Sequence, residues 1–252
     1  MRDLAFSPAL IEALRAAQHV VVLTGAGISA ESGLLTFRDA QTGLWARYRP
    51  EELATPQAFA RNPRRVWEWY AWRRQVVAQA QPNAGHLALA EMERRLARLT
   101  LITQNVDGLH QRAGSRQIIE LHGNIQRTKC FRENVVVASW PATDDVPPRC
   151  PQCGGPLRPD VVWFGEPLPS EALRQAIAAT NSCQVFISVG TSGLVQPAAS
   201  LAYQALAGGA LVVEVNTDRT PLSPHATCLN GPAAQVLPAL VRAVWPAQAA
   251  TG

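Results

Sequence analysis

His19-Val20-Val21-Val22-Leu23 runs directly into Thr24-Gly25-Ala26-Gly27-Ile28-Ser29-Ala30, and the reading of this junction decides the fold. Residues 20–23 are apolar on both alternating faces, as a strand covered on both sides must be. The Gly-x-Gly-x-x-Ala turn after it lets the backbone bend tightly and come close to a pyrophosphate, whose charge the next helix N-terminus attracts. A ligand-free strand-to-helix turn would use the same glycines, so the motif alone names no ligand. A hydride-transferring dehydrogenase would place a second strand with an acidic end about 20 residues further on. Here that region reads Leu44-Trp45-Ala46-Arg47-Tyr48-Arg49-Pro50, which is not such a strand.

The opening pattern recurs along the chain. Residues 99–103, 185–189 and 210–215 are short apolar runs. They end in the polar loops Gln104-Asn105-Val106-Asp107-Gly108, Gly190-Thr191-Ser192-Gly193 and Asn216-Thr217-Asp218. Helical patterns at residues 171–179 and 198–207 lie near these runs. The alternation predicts an α/β chain with a large Rossmann-type parallel sheet and ligands at the carboxyl ends of its strands. Two segments interrupt it: residues 36–81, rich in Trp, Tyr and Arg, and residues 127–159, which hold three clustered cysteines. We expect them to form a smaller inserted lobe, helical in the first part and zinc-ribbon-like in the second. The expected division of the single catalytic region, residues 1–252, is a large domain of about 1–35, 82–126 and 160–252 with a small lobe of about 36–81 and 127–159.

With 47% hydrophobic and only 17% charged residues, the 252-residue chain can bury a sizeable core and is not of disordered type. The 23 basic and 19 acidic residues leave +4. The arginines are scattered, so no nucleic-acid partner is expected. No apolar run approaches the roughly 20 residues of a membrane span. Residues 1–17, with Asp3, Glu12 and Arg15, read as an amphipathic helix rather than a signal peptide, so a cytoplasmic monomer is expected. Five cysteines, three in one stretch, disfavour a secreted disulfide scaffold. Cys183 and Cys228 stand in apolar surroundings and read as buried small hydrophobes.

Beyond the opening turn, Gly25-Ala26-Gly27-Ile28-Ser29-Ala30-Glu31-Ser32-Gly33 followed by Thr36-Phe37-Arg38 resembles the signature of the sirtuins, NAD-dependent protein deacylases. The likeness continues in Thr103-Gln104-Asn105-Val106-Asp107-Gly108-Leu109-His110, Glu120-Leu121-His122-Gly123 and Val161-Val162-Trp163-Phe164-Gly165-Glu166. It ends with Gly190-Thr191-Ser192 and Asn216-Thr217, the blocks standing in family order across nearly the whole chain.

The resemblance implies roles residue by residue. Gly25, Ala26, Gly27 and Ser29 would cradle the NAD pyrophosphate, with Glu31 nearby and Thr36, Phe37 and Arg38 on a loop that closes over the cofactor. Gln104, Asn105 and Asp107 would line the nicotinamide ribose and carboxamide pocket. An amide and a carboxylate two residues apart can offer a carboxamide both donor and acceptor, although Asn-x-Asp-Gly is also a plain turn. Gly190, Thr191, Ser192, Asn216, Thr217, Asp218 and Ala233 would complete the cofactor site. His122 would be the general base, Asn105 and Asp107 acting with it. In the sirtuin reaction the acyl oxygen of the substrate lysine attacks C1′ of the nicotinamide ribose, and a base then activates a ribose hydroxyl. A histidine of ordinary pKa near 6.5 suits that task. Val162, Phe164 and Gly165 would hold acyl-lysine proteins as extended peptides by strand addition; Val-Val-Trp-Phe would also suit a buried strand.

Residues 53–56 and 66–74, with the Tyr70-x-x-Arg73 pair and the small Ala54, resemble the sirtuin branch that removes succinyl, malonyl and glutaryl groups. On a helix Tyr70 and Arg73 share a face, and a phenol with a guanidinium can bind an acyl carboxylate. A helix whose aromatic face packs in the core would show the same pattern. Arg74 points elsewhere and is left without a role. For the structural zinc the family pattern is two Cys-x-x-Cys pairs. Cys150-Pro151-Gln152-Cys153 supplies one, but Cys130-Phe131-Arg132-Glu133 places a carboxylate where the fourth thiolate belongs. A Cys130, Cys150, Cys153 and Glu133 site and loss of zinc with retention of the lobe both stay open. Leu34-Leu35 also departs from relatives with a proline at the second place, which should alter loop mobility without removing NAD binding. The expected function is NAD-dependent desuccinylation and demalonylation, with deacetylation. The rivals are an ADP-ribosyltransferase using the same pocket and a non-catalytic NAD-responsive module.

Overall fold

Strands β1 (Val20–Thr24), β2 (Leu99–Thr103) and β3 (Ile118–Glu120) lie beside β6 (Val185–Val189), β7 (Leu211–Asn216) and β8 (Thr227–Asn230) in one parallel sheet, ordered β3-β2-β1-β6-β7-β8. The computed structural model describes residues 5–34, 49 and 52–246, so Thr36, Phe37 and Arg38 lie outside the described residues. Strand alternation splits the apolar side chains between two faces. Val20, Val22, Leu99, Leu101 and Ile187 pack under helices α1 (Pro8–Ala16), α4 (Ala84–Arg95) and α8 (Ala233–Val244). Val21, Leu23, Ile102, Phe186 and Val212 pack under α6 (Ser170–Ser182) and α7 (Ser200–Ala207). Cover on both faces is why these strands read as continuous apolar runs.

The predicted strands at 99–103 and 185–189 coincide with β2 and β6, while β1 starts one residue later than expected. His19 stands at the sheet's entrance, its ring within hydrogen-bond reach of Ser182 and Thr100 and its N–H donating to Gln184. The edge strands β3 and β8 were not anticipated; each is short and bears polar residues. After β1 the chain forms a 3-10 helix, Ala26–Ser32, ended by Gly33 at φ 78°. A run this long with i→i+3 bonding is uncommon, and here the turn is pinned from outside. Gly25 N–H donates to Val189 O (3.0 Å) and Gly27 N–H to Gly190 O (2.9 Å), binding it to the loop after β6.

The second structural group holds α2 (Pro56–Arg61), α3 (Pro63–Gln79) and the antiparallel pair β4 (Gly123–Cys130) and β5 (Leu157–Val161). Thr55 and Asn62 cap the two helices through their side-chain oxygens. From α3, Val66, Trp69, Tyr70 and Val77 enter an apolar cluster with Ile125, Val161 and Trp163, and Phe131 of the second interrupting segment packs against it. Arg74 donates to Ile125 O (2.6 Å), Arg127 O (2.9 Å) and Thr128 Oγ1 (2.9 Å), which ties α3 to β4. Between the sheet and this lobe runs α5 (Leu109–Arg112). Cys183 is buried as expected; Cys228 is instead exposed, because β8 is an edge strand, and its thiol donates to Ser223 O.

The glycine contact gives a graded test. A Cβ on Gly190 (φ 59°) would stand 2.5 Å from Ile28 N, whereas one on Gly33 (φ 78°) would meet nothing within 4 Å. Gly33→Ala should therefore cost about 1 kcal/mol, the ordinary left-handed penalty. Gly190→Ala should cost at least about 2 kcal/mol more, since backbone must move as well. Urea unfolding measures both, and equal costs would contradict the contact.

Candidate active site

Every loop singled out in the sequence emerges at the carboxyl edge of the parallel sheet. Gly25 and Gly27 follow β1, Gln104, Asn105 and Asp107 follow β2, His122 follows β3, and Gly190 to Ser192 follow β6. The N–H groups of Gly25 and Gly27 donate to the β6 strand end and the loop after it. These glycines permit close backbone approach. A Cβ on either would stand 2.7 Å from Gly190 atoms. Ser29 is buried, and its hydroxyl donates to Asp107 Oδ2 at 2.8 Å.

Asn105 gives its two amide protons to Gly25 O (3.0 Å) and Ser29 Oγ (3.2 Å), which leaves Oδ1 as the part of the amide able to meet a ligand donor. Asp107 Oδ1 accepts from Leu109 N–H (2.9 Å), and burial pushes its carboxyl above the usual carboxylate range. Behind this pair lie two histidines that the sequence reading left without a role. Thr24 donates to Thr103, so the Nε2 of His110, 2.9 Å from Thr24 Oγ1, carries the proton. His86 Nδ1 accepts from Asn83 N–H (3.3 Å), which puts its proton on Nε2, facing Ser29 Oγ at 3.4 Å. The rings lie 4.9 Å apart, and burial pushes His86 down to about 4 and His110 down to about 3. Both are neutral, so they fix hydrogen-bond direction without adding charge. The capping pattern Asn83-x-x-His86 was the available sequence signal for the first.

His122 Nδ1 lies 2.9 Å from Gln104 O. A carbonyl only accepts, so Nδ1 holds the proton and Nε2 carries the lone pair. Burial lowers the His122 pKa below 6.5, although the Gln104 bond acts to raise it. The ring is thus the free base at neutral pH, in one tautomer, as a general base requires.

Residues 161–166 are hung on this histidine's own backbone: Val162 N–H donates to His122 O (2.9 Å), and Phe164 N–H donates to Ala54 O (2.9 Å). Ala54, Val162, Phe164 and His122 are thereby brought together. Gly165 has φ 86° and turns the chain back. Phe164 is exposed whereas Trp163 is buried, so the expected channel wall is half surface and half core. Tyr70 is buried, and burial pushes its phenol up to about 12. Arg73 lies close enough to act on both Tyr70 and Asp107, and burial pulls its pKa down.

The remaining expected cofactor residues form an outer group. Asn216 Nδ2 donates to Thr191 O (2.8 Å), and Thr217 donates to Asp218 Oδ2 (3.0 Å), with Thr217 and Asp218 both exposed. The Ser192 hydroxyl accepts from Leu194 N–H. Glu31 accepts from Ala234 N–H (2.8 Å) in the first turn of α8 and so acts as a helix cap, while Ala233 is buried in the core under that helix. Glu214, missed in the sequence, is a buried carboxylate that accepts from the hydroxyls of Thr220 and Ser223 and anchors the loop after Asn216. The groups at this edge suit the ribose hydroxyls and carboxamide of a dinucleotide: an imidazole lone pair and an amide oxygen that accept and, further out, hydroxyls and a carboxylate.

Away from that edge, the Sγ atoms of Cys130, Cys150 and Cys153 all lie within 4.8 Å of one another. Tetrahedral zinc–thiolate bonds of about 2.3 Å set sulfurs about 3.8 Å apart, so the three fit a structural zinc. Glu133 N–H donates to Cys130 Sγ and Gly155 N–H to Cys153 Sγ, each at 3.4 Å. Of the two outcomes left open for Glu133, the structure does not bring its carboxylate to the sulfurs: among the described residues the cluster holds only the cysteines, and Glu133 is exposed. Its carboxylate stays in water while its amide serves Cys130.

Residues 25–197 match the family model described as the Sir2 family. A protein of Pyrobaculum aerophilum named NAD-dependent protein deacylase 2 is 53% identical over 232 residues, covering 92% of this chain and 93% of that protein. The crystal structure of a Sir2 homolog–NAD complex has a TM-score of 0.88 at 49% identity, covering 95% of this chain and 94% of the other. The structure of Sir2Af2 bound to a myristoylated histone peptide has a TM-score of 0.73 at 37% identity, covering 93% and 94%.

Two outcomes follow from this geometry. Both buried histidines have folded pKa values below 6.5, so unfolding takes up protons below that pH. Stability is full above pH 6.5 and falls as pH drops toward about 4, by about 1.4 kcal/mol per pH unit for each histidine. Urea unfolding across this window should show the fall; a flat profile would contradict the neutral pair. Metal analysis of the purified chain should find about one zinc, unaffected by Glu133→Gln and released to a chelator more slowly in Glu133→Cys. Zinc lost on Glu133→Gln would make the carboxylate a ligand.

Proposed function

The chain belongs to the Sir2 family, and from that membership we propose that this NAD-dependent protein deacylase removes succinyl and malonyl groups from lysine side chains, and acetyl groups besides. The products are nicotinamide, the free lysine and 2′-O-acyl-ADP-ribose. The observation behind the acyl preference is the half-buried Arg73, one helical turn along α3 from the buried, uncharged Tyr70 phenol. A cation held there loses hydration that an acyl carboxylate would replace with charge-assisted hydrogen bonds. Ala54, buried in the same apolar cluster, leaves room for the acyl chain.

Bound NAD supplies an electrophilic C1′ with nicotinamide as its leaving group. The residues that would hold it are Ala26 and Ser29 at the first turn, Gln104, Asn105 and Asp107 at the nicotinamide end, and Ser192, Asn216, Thr217 and Asp218 at the outer end. Asn105 orients the nicotinamide carboxamide through Oδ1. Val162, Phe164 and Gly165 bind the substrate backbone as an added strand and aim the acyl oxygen inward. His122 Nε2 accepts the ribose hydroxyl proton, and the Gln104 carbonyl keeps the imidazole in register throughout. The large sheet domain and the small lobe form the two walls of this cleft. The antiparallel pair begins at Gly123 and ends at Val161, so it crosses the expected joins.

Nicotinamide release from matched succinyl-lysine and acetyl-lysine peptides tests the proposal. Arg73→Met should lower the succinyl-to-acetyl ratio of kcat/KM by about 10- to 100-fold, the worth of a charge-assisted hydrogen bond. His122→Tyr should abolish turnover of both. The wild-type rate should fall on acidification only below pH 6.5, since burial holds the base's pKa under that value. An unchanged ratio in Arg73→Met would reduce the pair to scaffold. NAD cleavage that needs no acyl-lysine would favour ADP-ribosyl transfer.

A further inference from the structure

Trp163 lies between Val162 and Phe164 in the chain and packs in the apolar cluster with Tyr70, its indole nearly sealed from solvent at 1% exposure. Its Nε1–H donates to Tyr70 Oη at 2.9 Å. The ring is held on two sides. Arg158 lies over its face, 3.2 Å from the centroid, and donates both to Glu166 (2.5 and 2.9 Å) and to Val161 O (2.7 Å). Glu166 Oε2 accepts in turn from Trp163 N–H at 2.8 Å. The indole therefore has little freedom to turn its N–H away from Tyr70.

A phenol oxygen is both donor and acceptor, and its O–H prefers the ring plane. With an indole N–H pointed at the oxygen from one side, the phenol proton is repelled from that side and turns to the other. Arg73, one helical turn beyond Tyr70 on α3, is one of two cations acting on the phenol; the other, Arg158, is held by Glu166 and lies over the Trp163 face. A group that fits between the Tyr70 proton and the Arg73 guanidinium has to be an acceptor only, which describes a carboxylate and excludes a methyl. We infer that Trp163 is a positioning residue for acyl selection: by donating to Tyr70 it directs the phenol O–H toward the acyl carboxylate. This rests on the acid-acyl reading above. Trp163 touches neither cofactor nor reacting atoms in this account and acts only through Tyr70.

The test compares wild type, Tyr70→Phe, Trp163→Phe and the double variant on succinyl-lysine and acetyl-lysine peptides. Each single change should lower the succinyl-to-acetyl ratio of kcat/KM about tenfold, mainly through KM for the succinyl peptide. The double variant should be no worse than Tyr70→Phe, because the tryptophan has no other route to the substrate. Effects that add, or a Trp163→Phe loss shared equally by both peptides, would overturn the inference and leave the acid-acyl reading standing. If Tyr70→Phe and Arg73→Met both leave the ratio unchanged, that reading fails and the inference falls with it. Should Trp163→Phe fail to fold, the Trp163 indole N–H resonance of the wild type decides. It should shift when succinyl peptide binds and stay in place with acetyl peptide; the same response to both would overturn the role.

Discussion

Two loops meet backbone to backbone at the carboxyl edge of the sheet, and everything that makes a site of this edge depends on that contact. Gly27 and Gly190 approach so closely that a single Cβ would part them, and the Gly27 N–H to Gly190 O bond fastens the turn after β1 to the loop after β6. With the turn fixed, Ser29 is buried within reach of Asn105 and Asp107, and the β2 loop locks against Gly25. Gln104 is then set by its N–H to Thr24 O, which places its carbonyl for His122. One steric condition thereby aligns the ends of four strands.

The electrostatics of the site follow from burial. His86, His110 and His122 are all held neutral by withdrawal from water, so none competes for charge with a ligand. Their tautomers are set by partners: the Gln104 carbonyl accepts from His122, the Asn83 N–H donates to His86, and the Thr24 hydroxyl, its own proton given to Thr103, accepts from His110. At the other end, Tyr70 is buried and Arg73 half-buried, one helical turn apart on α3. The proposed site thus pairs a basic lone pair on His122, set by the Gln104 carbonyl, with the Tyr70 phenol, set by the Trp163 N–H.

Much of this was legible in the residues. Continuous apolar runs such as residues 185–189 announced a parallel sheet because both faces are covered, and their polar ends located the site. The edge strands β3 and β8 escaped because an edge needs fewer apolar residues, and with them the exposure of Cys228. The glycine turn was recognised, but its physical cause was not: the partner that demands glycine is Gly190, distant in sequence. Glu31 was read with the cofactor although its carboxylate caps α8, a contact over 203 residues of separation. Glu133 stood at the right spacing for a ligand, yet spacing sets the amide beside Cys130 and leaves the side chain free to face water. Trp163, Arg158 and Glu166 form a brace visible only once folded, because an aromatic in Val-Val-Trp-Phe looks like any core residue.

In the proposed function one cleft joins a neutral His122 to an acyl pocket ending at Tyr70 and Arg73. A crystal structure of the chain with ADP-ribose and a succinyl-lysine peptide would decide whether it does. The succinyl carboxylate should lie within about 3 Å of both Tyr70 Oη and the Arg73 guanidinium, with His122 Nε2 facing a ribose hydroxyl. A carboxylate directed to solvent, with Tyr70 and Arg73 unengaged, would contradict it.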